Sequence, residues 1–188
     1  SNQVNRIRYL KTQRTLIVGT TGGEFTVSAD GTDAAITPTN ITIKRQSAYG
    51  SADIDAQAVG NAVLFLQKAK RKIRELAYNF DIDGYQAPDL TILNDGITIS
   101  GIKEMTYQQE PDSILWCVRD DGIFTGLTYQ RGENVVAWHR HIFGGAFGAS
   151  HAVCESVASI SGELTEDELW VIVKRTVDGS TKRYVECF

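Results

Sequence analysis

Ser113-Ile114-Leu115-Trp116-Cys117-Val118-Arg119-Asp120-Asp121-Gly122-Ile123-Phe124-Thr125-Gly126-Leu127-Thr128-Tyr129 is the stretch that decides the fold. Ser113 to Arg119 is a short run of β-branched, aromatic and apolar residues, and it stops at Asp121-Gly122, a pair that favours the positive φ angles of a tight hairpin. Ile123 to Tyr129 resumes the same composition. A second turn at Arg131-Gly132-Glu133-Asn134 leads into Val135-Val136-Ala137-Trp138-His139-Arg140-His141, and upstream Gly101-Ile102-Lys103-Glu104-Met105-Thr106-Tyr107 reads as a further strand. Residues 101–141 are thus predicted to form a four-stranded antiparallel meander. One such sheet cannot cover both of its own faces, so more of the same must exist.

The unit recurs. Asp167-Glu168-Leu169-Trp170-Val171-Ile172-Val173 matches the Leu-Trp strand, Asp178-Gly179 matches its turn, and Thr181 to Val185 matches the strand containing Tyr129. Ala62-Val63-Leu64-Phe65-Leu66 precedes Ser113 to Cys117 by 51 residues, as Leu76-Ala77-Tyr78 precedes Leu127-Thr128-Tyr129. Thr15 to Gly19 and Gly23 to Val27 form a hairpin around Thr20-Thr21-Gly22, with Asn40 to Lys44 as an outer strand. A period of about 50 residues with four strands per unit is the mark of β-propeller blades. The expected fold is all-β, a single β-propeller-like domain over 1–188. Its three to four blades fall at approximately 3–50, 53–98, 101–144 and 150–188, the last lacking a fourth strand.

One segment resists this reading. Ala62, Leu66, Ala69, Ile73 and Leu76-Ala77 recur at helical spacing, and 61–79 read alone is an amphipathic helix with a basic face. The repeat makes it a hairpin turning at Lys68-Ala69-Lys70, favoured by the continuous apolar run Val63 to Leu66 behind Gly60-Asn61.

Composition agrees with many short strands: Gly 17, Pro 3, 42% hydrophobic and 22% charged residues, too apolar for a disordered chain. A net charge of −4 gives no global attraction to nucleic acid or anionic lipid. No apolar run approaches the ~20 residues of a membrane-spanning helix, and Ser1 to Lys11 lacks a signal-peptide core. Ser1-Asn2 resembles a scar of tag cleavage, and the abrupt strand-like start suggests a fragment of something longer. Cys117, Cys154 and Cys187 are odd in number, lie far apart among apolar neighbours, and form no CxxC pair. They are expected to be buried, reduced thiols.

Few groups suggest chemistry. His139 and His141, two apart on a strand, share a face. A metal would need a third ligand, with His151, Asp120 and Asp121 as candidates. The plainer reading is a strand with aromatic packing on one side and polar groups on the other, and neither metal nor cofactor is expected. Lys68, Lys70, Arg71, Lys72 and Arg74 form a basic cluster suited to DNA passing through a channel, to an acidic neighbour, or simply to a solvated turn. With His139 and His141 these are the candidate interaction surface. Asp81, Asp83 and Gly84 resemble the opening of a calcium loop but lack its later ligands. Gly144 to Ser150 is a flexible connector with no phosphate-loop Lys-Ser/Thr. Glu104, Glu110, Asp112, Asp120 and Asp121 supply carboxylates, whose separation sequence alone does not give. No catalytic motif is present, so no catalytic residue is assigned and the chain is not expected to be an enzyme.

Tyr107-Gln108-Gln109-Glu110-Pro111-Asp112-Ser113-Ile114-Leu115-Trp116 resembles a hallmark of a family of bacteriophage and prophage tail proteins. So do Leu127-Thr128-Tyr129 through Ala137-Trp138-His139-Arg140-His141, Thr37-Pro38-Thr39-Asn40, Lys44-Arg45-Gln46-Ser47 with Tyr49-Gly50, Arg71 to Tyr78, and Glu168-Leu169-Trp170 to Arg183-Tyr184-Val185-Glu186. The likeness spans nearly the whole chain and corresponds to the C-terminal part of much longer members. Some members resemble the nozzle, or tubular protein B, of short-tailed phages. The resemblance implies a structural virion tail subunit made in the host cytoplasm. Its implied partners are other tail subunits in a homo-oligomeric ring, with DNA passing nearby, no membrane and no established catalytic residues. Trp116, Trp138 and Trp170 would then be core or blade-packing residues. The alternative from another class is a receptor- or glycan-binding, or glycan-degrading, tail module, marked by a pocket with an exposed Trp or Tyr and two converging carboxylates.

Overall fold

The computed structural model describes residues 5–31, 34–162 and 166–188. Ser1-Asn2 lies outside them. The chain is all-β, built of several small antiparallel sheets, and divides into two compact units, 1–91 and 92–188.

The first unit holds two four-stranded meanders. One runs β1 (Ile7–Thr12), β2 (Leu16–Thr20), β3 (Gly23–Ser28), β4 (Thr42–Ser47), and the other β5 (Gln57–Val59), β6 (Ala62–Leu66), β7 (Ile73–Asn79), β8 (Gly84–Gln86). Residues 61–79 are the hairpin β6–β7, with Leu66 opposite Ile73. Its turn is held by Gln67 N–H to Lys72 O and Lys70 N–H to Gln67 O, both 2.8 Å, with Lys70 in the left-handed region at φ 62°. Every residue of β6 is buried, so its two faces are both covered. That explains why Val63 to Leu66 is an unbroken apolar run rather than an alternating one. The helical spacing is coincidental, since Ala62, Leu66, Ile73 and Leu76 are buried on strands and Ala69 is exposed in the turn. Tyr9, Ile17, Ala56, Val63, Phe65, Leu76 and Ala87 make one core cluster. Fully buried Phe65 contributes about 1.5–3 kcal/mol by burial alone. The fully buried Glu24 accepts hydrogen bonds from Ser47 Oγ and, at 2.7 Å, Ser51 Oγ, partners a buried carboxylate requires.

The second unit holds the meander expected over 101–141: β9 (Ile102–Gln108), β10 (Ile114–Arg119), β11 (Phe124–Gln130) and β12 (Val135–His141). A small hairpin follows, β13 (Ala146–Phe147) with β14 (Ser150–His151), and then a three-stranded sheet of β15 (Val153–Ser161), β16 (Asp167–Val177) and β17 (Ser180–Cys187). Trp116, Val118, Phe124, Phe143, Ala152, Cys154, Val157, Leu169, Val171 and Val173 form its core.

The two Asp-Gly turns differ. At Asp178-Gly179 both residues have positive φ, 49° and 73°, and Val177 pairs directly with Ser180, a two-residue hairpin of the kind the pair favours. At Asp121-Gly122 only Gly122 is positive, at 80°, and the loop is wider, with Gly122 N–H to Arg119 O at 2.9 Å and Arg119 N–H to Ile123 O at 3.0 Å. Asp121 is diverted there. Its carboxylate accepts from Arg119 Nε and from Ile123 N–H, both at 3.1 Å. The Gly144 to Ser150 connector is likewise more ordered than expected, because Gly144 O accepts from Arg175 Nε at 2.7 Å, Gly148 N–H reaches Thr176 Oγ1 at 3.2 Å, and Lys174 Nζ lies 4.3 Å from the Phe147 ring centroid.

Candidate functional site

The strand alternation of β12 puts His139 and His141 on one face, where the neighbouring strands present Trp116 and Phe124. Trp116 and Phe124 stack with centroids 4.9 Å apart and planes 4° from parallel. The two imidazoles meet edge to face, Trp116 packs edge-on against both, and Phe188 closes the group against Trp116, Phe124, His141 and Phe143. His139 Nδ1 lies 2.6 Å from His141 Nε2, a hydrogen bond that needs one ring neutral at the accepting nitrogen. Burial lowers both imidazole pKa values, and the neighbouring His141 charge lowers that of His139 further. Opposite His139 stands Gly126, and a Cβ there would fall 2.2 Å from His139 Cε1. The missing side chain is what makes room for the ring.

Among the described residues no third ligand joins the histidines, and no group of three His, Cys, Asp or Glu is placed to hold a metal. His151 is exposed on β14, and Asp121 is engaged by Arg119. Burial raises the Asp121 carboxyl pKa, but Arg119 and the Ile123 N–H outweigh it and leave it below the ordinary range.

The basic cluster splits. Lys68, Lys70, Arg71 and Lys72 are exposed at the β6–β7 tip, with Lys72 paired to Asp89 at 2.8 Å. Arg74 is not part of a surface. Only 9% exposed, it donates from Nε to Gln67 Oε1 and from Nη1 to Ala87 O, both 2.7 Å, and its guanidinium lies 3.5 Å from the Tyr49 ring centroid. β7 is buried from Ile73 to Ala77, on both of its faces, so entering the strand takes Arg74 from the basic tip into the interior.

The Gln-Gln-Glu-Pro-Asp-Ser run joins two sheets. Gln108 Oε1 accepts the indole N–H of Trp116 at 2.8 Å, and its Nε2 donates to Asp167 O at 2.7 Å. Asp167 answers with its carboxylate, which accepts from Gln109 N–H at 2.8 Å and Glu110 N–H at 3.1 Å, while its own N–H reaches Glu110 O at 3.2 Å. Ser113, at φ 54°, receives Tyr129 N–H on its carbonyl and donates its hydroxyl to Tyr129 O. A shallow cleft beside this junction is lined by Tyr107, Gln109, Glu110, Ser159, Ser161 and Asp167. Of the remaining carboxylates, Glu104 accepts from Ser156 Oγ at 3.0 Å, and Asp112 and Asp120 are exposed.

Two sequence expectations change. Trp116 is buried, but Trp138 is half-buried and Trp170 is 37% exposed, its indole donating to Glu168 at 2.9 Å. On β16 the register turns Leu169 and Val171 inward and Trp170 outward, whereas β10 is covered on both faces. Cys117 and Cys154 are buried, and Cys187 is exposed on the edge strand β17. Sequence reasoning also passed over Arg119, whose Nη1 donates to Ile97 O at 2.8 Å, and Asp167, neither of which carries a local signal.

No protein-family model matches the chain, and no curated protein matches it. No helix among the described residues is long and apolar enough to cross a membrane.

Proposed function

We propose that this chain is a structural module of a bacteriophage or prophage tail, a propeller-like array of blades that packs against other subunits and performs no catalysis. One observation carries the reading: the most distinctive run of the resemblance, Gln108 to Ser113, braces its own sheet through Trp116 and Tyr129 and ties it to the neighbouring sheet through Asp167. A motif that welds sheets suits a rigid subunit better than it suits a reactive centre. Further support comes from meanders at 7–47, 57–86 and 102–141, the spacing that a blade repeat needs.

In this reading the module sits in the virion tail after synthesis in the host cytoplasm, and the protein assembles as a homo-oligomeric ring. The exposed tip Lys68, Lys70, Arg71 and Lys72 faces an acidic neighbour or DNA in the channel. The test is virion proteomics and immunogold labelling with antibody raised against this chain. Label at the tail of a phage induced from a carrying host is expected, and label confined to the host envelope or cytosol refutes the assignment.

A second reading, a receptor- or glycan-binding module, has one observation behind it: the cleft that brings Tyr107, Glu110 and Asp167 to one rim. Asp167 already accepts two backbone N–H groups there, which suits binding more than hydrolysis. Retention of the chain on host-cell polysaccharide, lost in Tyr107→Ala, would favour it.

A further inference from the structure

Strand β17 is the outer strand of the sheet β15–β16–β17. Its pairing with β16 starts at the two-residue turn, with Val177 opposite Ser180. In such a hairpin the closing pair exchanges both backbone hydrogen bonds, and every second pair thereafter does the same. Ser180, Lys182, Tyr184 and Glu186 therefore turn their N–H and C=O groups toward β16. Phe188 keeps the phase, donating its N–H to Leu169 O at 2.7 Å. Thr181, Arg183, Val185 and Cys187 turn theirs outward. All of β17 except the half-buried Glu186 is exposed.

Edges of this kind are usually guarded by charge, and Lys182 and Arg183 stand where guards would. Both are answered. Arg183 donates to both oxygens of Glu155, at 2.6 and 3.3 Å. Lys182 has its complement two residues beyond Tyr184, in Glu186. A second β17 laid antiparallel with Tyr184 opposite Tyr184 sets Lys182 against Glu186 twice, Arg183 against Val185, and Thr181 against Cys187. Outward-facing residues then meet outward-facing residues, and the ladder forms along the whole strand. A register moved by one pairs outward groups with groups already engaged. Centring on Arg183 opposes two arginines, and centring on Val185 puts Lys182 against Phe188. Glu186 also accepts from Arg175 on both of its oxygens, and each oxygen keeps a further acceptor site for Lys182.

We propose that β17 is a self-association edge, through which two copies of this chain pair antiparallel about Tyr184 into one six-stranded sheet. The contact is isologous, and the pattern Lys-Arg-Tyr-Val-Glu is complementary to its own reverse, as a two-fold interface requires. The inference is independent of the tail reading and holds for a chain of any function.

Light scattering on the whole chain tests it. The mass is expected to rise with concentration from one chain toward two, and a single-chain mass up to about millimolar concentration overturns the proposal. Val185→Pro removes an outward N–H without touching the β16 ladder. It is expected to abolish the dimer with far-ultraviolet circular dichroism unchanged, and a dimer that survives it refutes the edge contact. Lys182→Glu places like charges opposite Glu186 and is expected to weaken association about tenfold. The register is read directly by cysteines in a Cys187→Ser background: Tyr184→Cys is expected to form a disulfide-linked dimer and Val185→Cys is not, and the opposite result overturns the alignment.

Discussion

The side-chain amide of Gln108 fastens Trp116 from below: its Oε1 accepts the indole N–H at 2.8 Å while its Nε2 reaches Asp167 O at 2.7 Å. Gln108 ends β9, Trp116 lies inside β10 and Asp167 opens β16, so one amide joins three strands of two sheets. Trp116 is 4% exposed and has no water to fall back on. Gln108→Leu keeps the volume and removes both bonds. It is expected to cost about 1–3 kcal/mol by stranding a buried donor, read as a lower urea midpoint at unchanged slope.

Gly126→Ala tests the space under His139. A methyl there meets the imidazole, which is half-buried and can swing aside at a cost of about 1–3 kcal/mol. The first unit uses the same device at Gly19, where a Cβ would fall 2.1 Å from Tyr9 Cε1, an aromatic ring laid over a cross-strand glycine. Tyr9 is only 4% exposed and has nowhere to go. Gly19→Ala is expected to lower the melting temperature more than Gly126→Ala does, in parallel thermal melts.

The histidine pair sets a pH dependence. Burial depresses both imidazole pKa values in the folded chain, and the unfolded chain binds protons near the ordinary value of about 6.5. The unfolded state then holds more protons below that value, so stability is full above about pH 7 and declines as pH falls toward the depressed folded values. Urea midpoints measured between about pH 7.5 and 5.5 are expected to fall, and His139→Gln with His141→Gln is expected to flatten the fall.

Thiol reactivity separates the cysteines. Burial pushes the Cys154 thiol up to about 12 and raises Cys117 as well, while Cys187 is exposed. An aromatic disulfide reagent is expected to titrate one thiol in the folded protein and three in denaturant. Mass spectrometry should place the first label on Cys187.

The strands were legible where composition or turn chemistry left a local mark. Asp178-Gly179 forms the two-residue hairpin its residues favour, and the run Val63 to Leu66 outweighs the helical spacing around it because strands covered on both faces need not alternate. What sequence did not show depends on partners far along the chain. Asp121 is drawn from its ordinary turn role by Arg119, and Arg74 ends a basic run yet lies under Tyr49. Leu169-Trp170 looks like Leu115-Trp116, but only Trp116 has a layer over it. Of the candidate site, strand periodicity alone gives the shared face of His139 and His141. The Gln108–Asp167 junction spans 59 residues and leaves no local pattern.

Each larger sheet is a meander in which every strand pairs with its neighbour in sequence. Contact order within a sheet is therefore low for an all-β chain, and loop closure costs little entropy at each step. During synthesis each strand finds its partner already outside the ribosome. The chain can thus fold vectorially, sheet after sheet, without holding an early strand open for a late one and exposing it to aggregation in the interval.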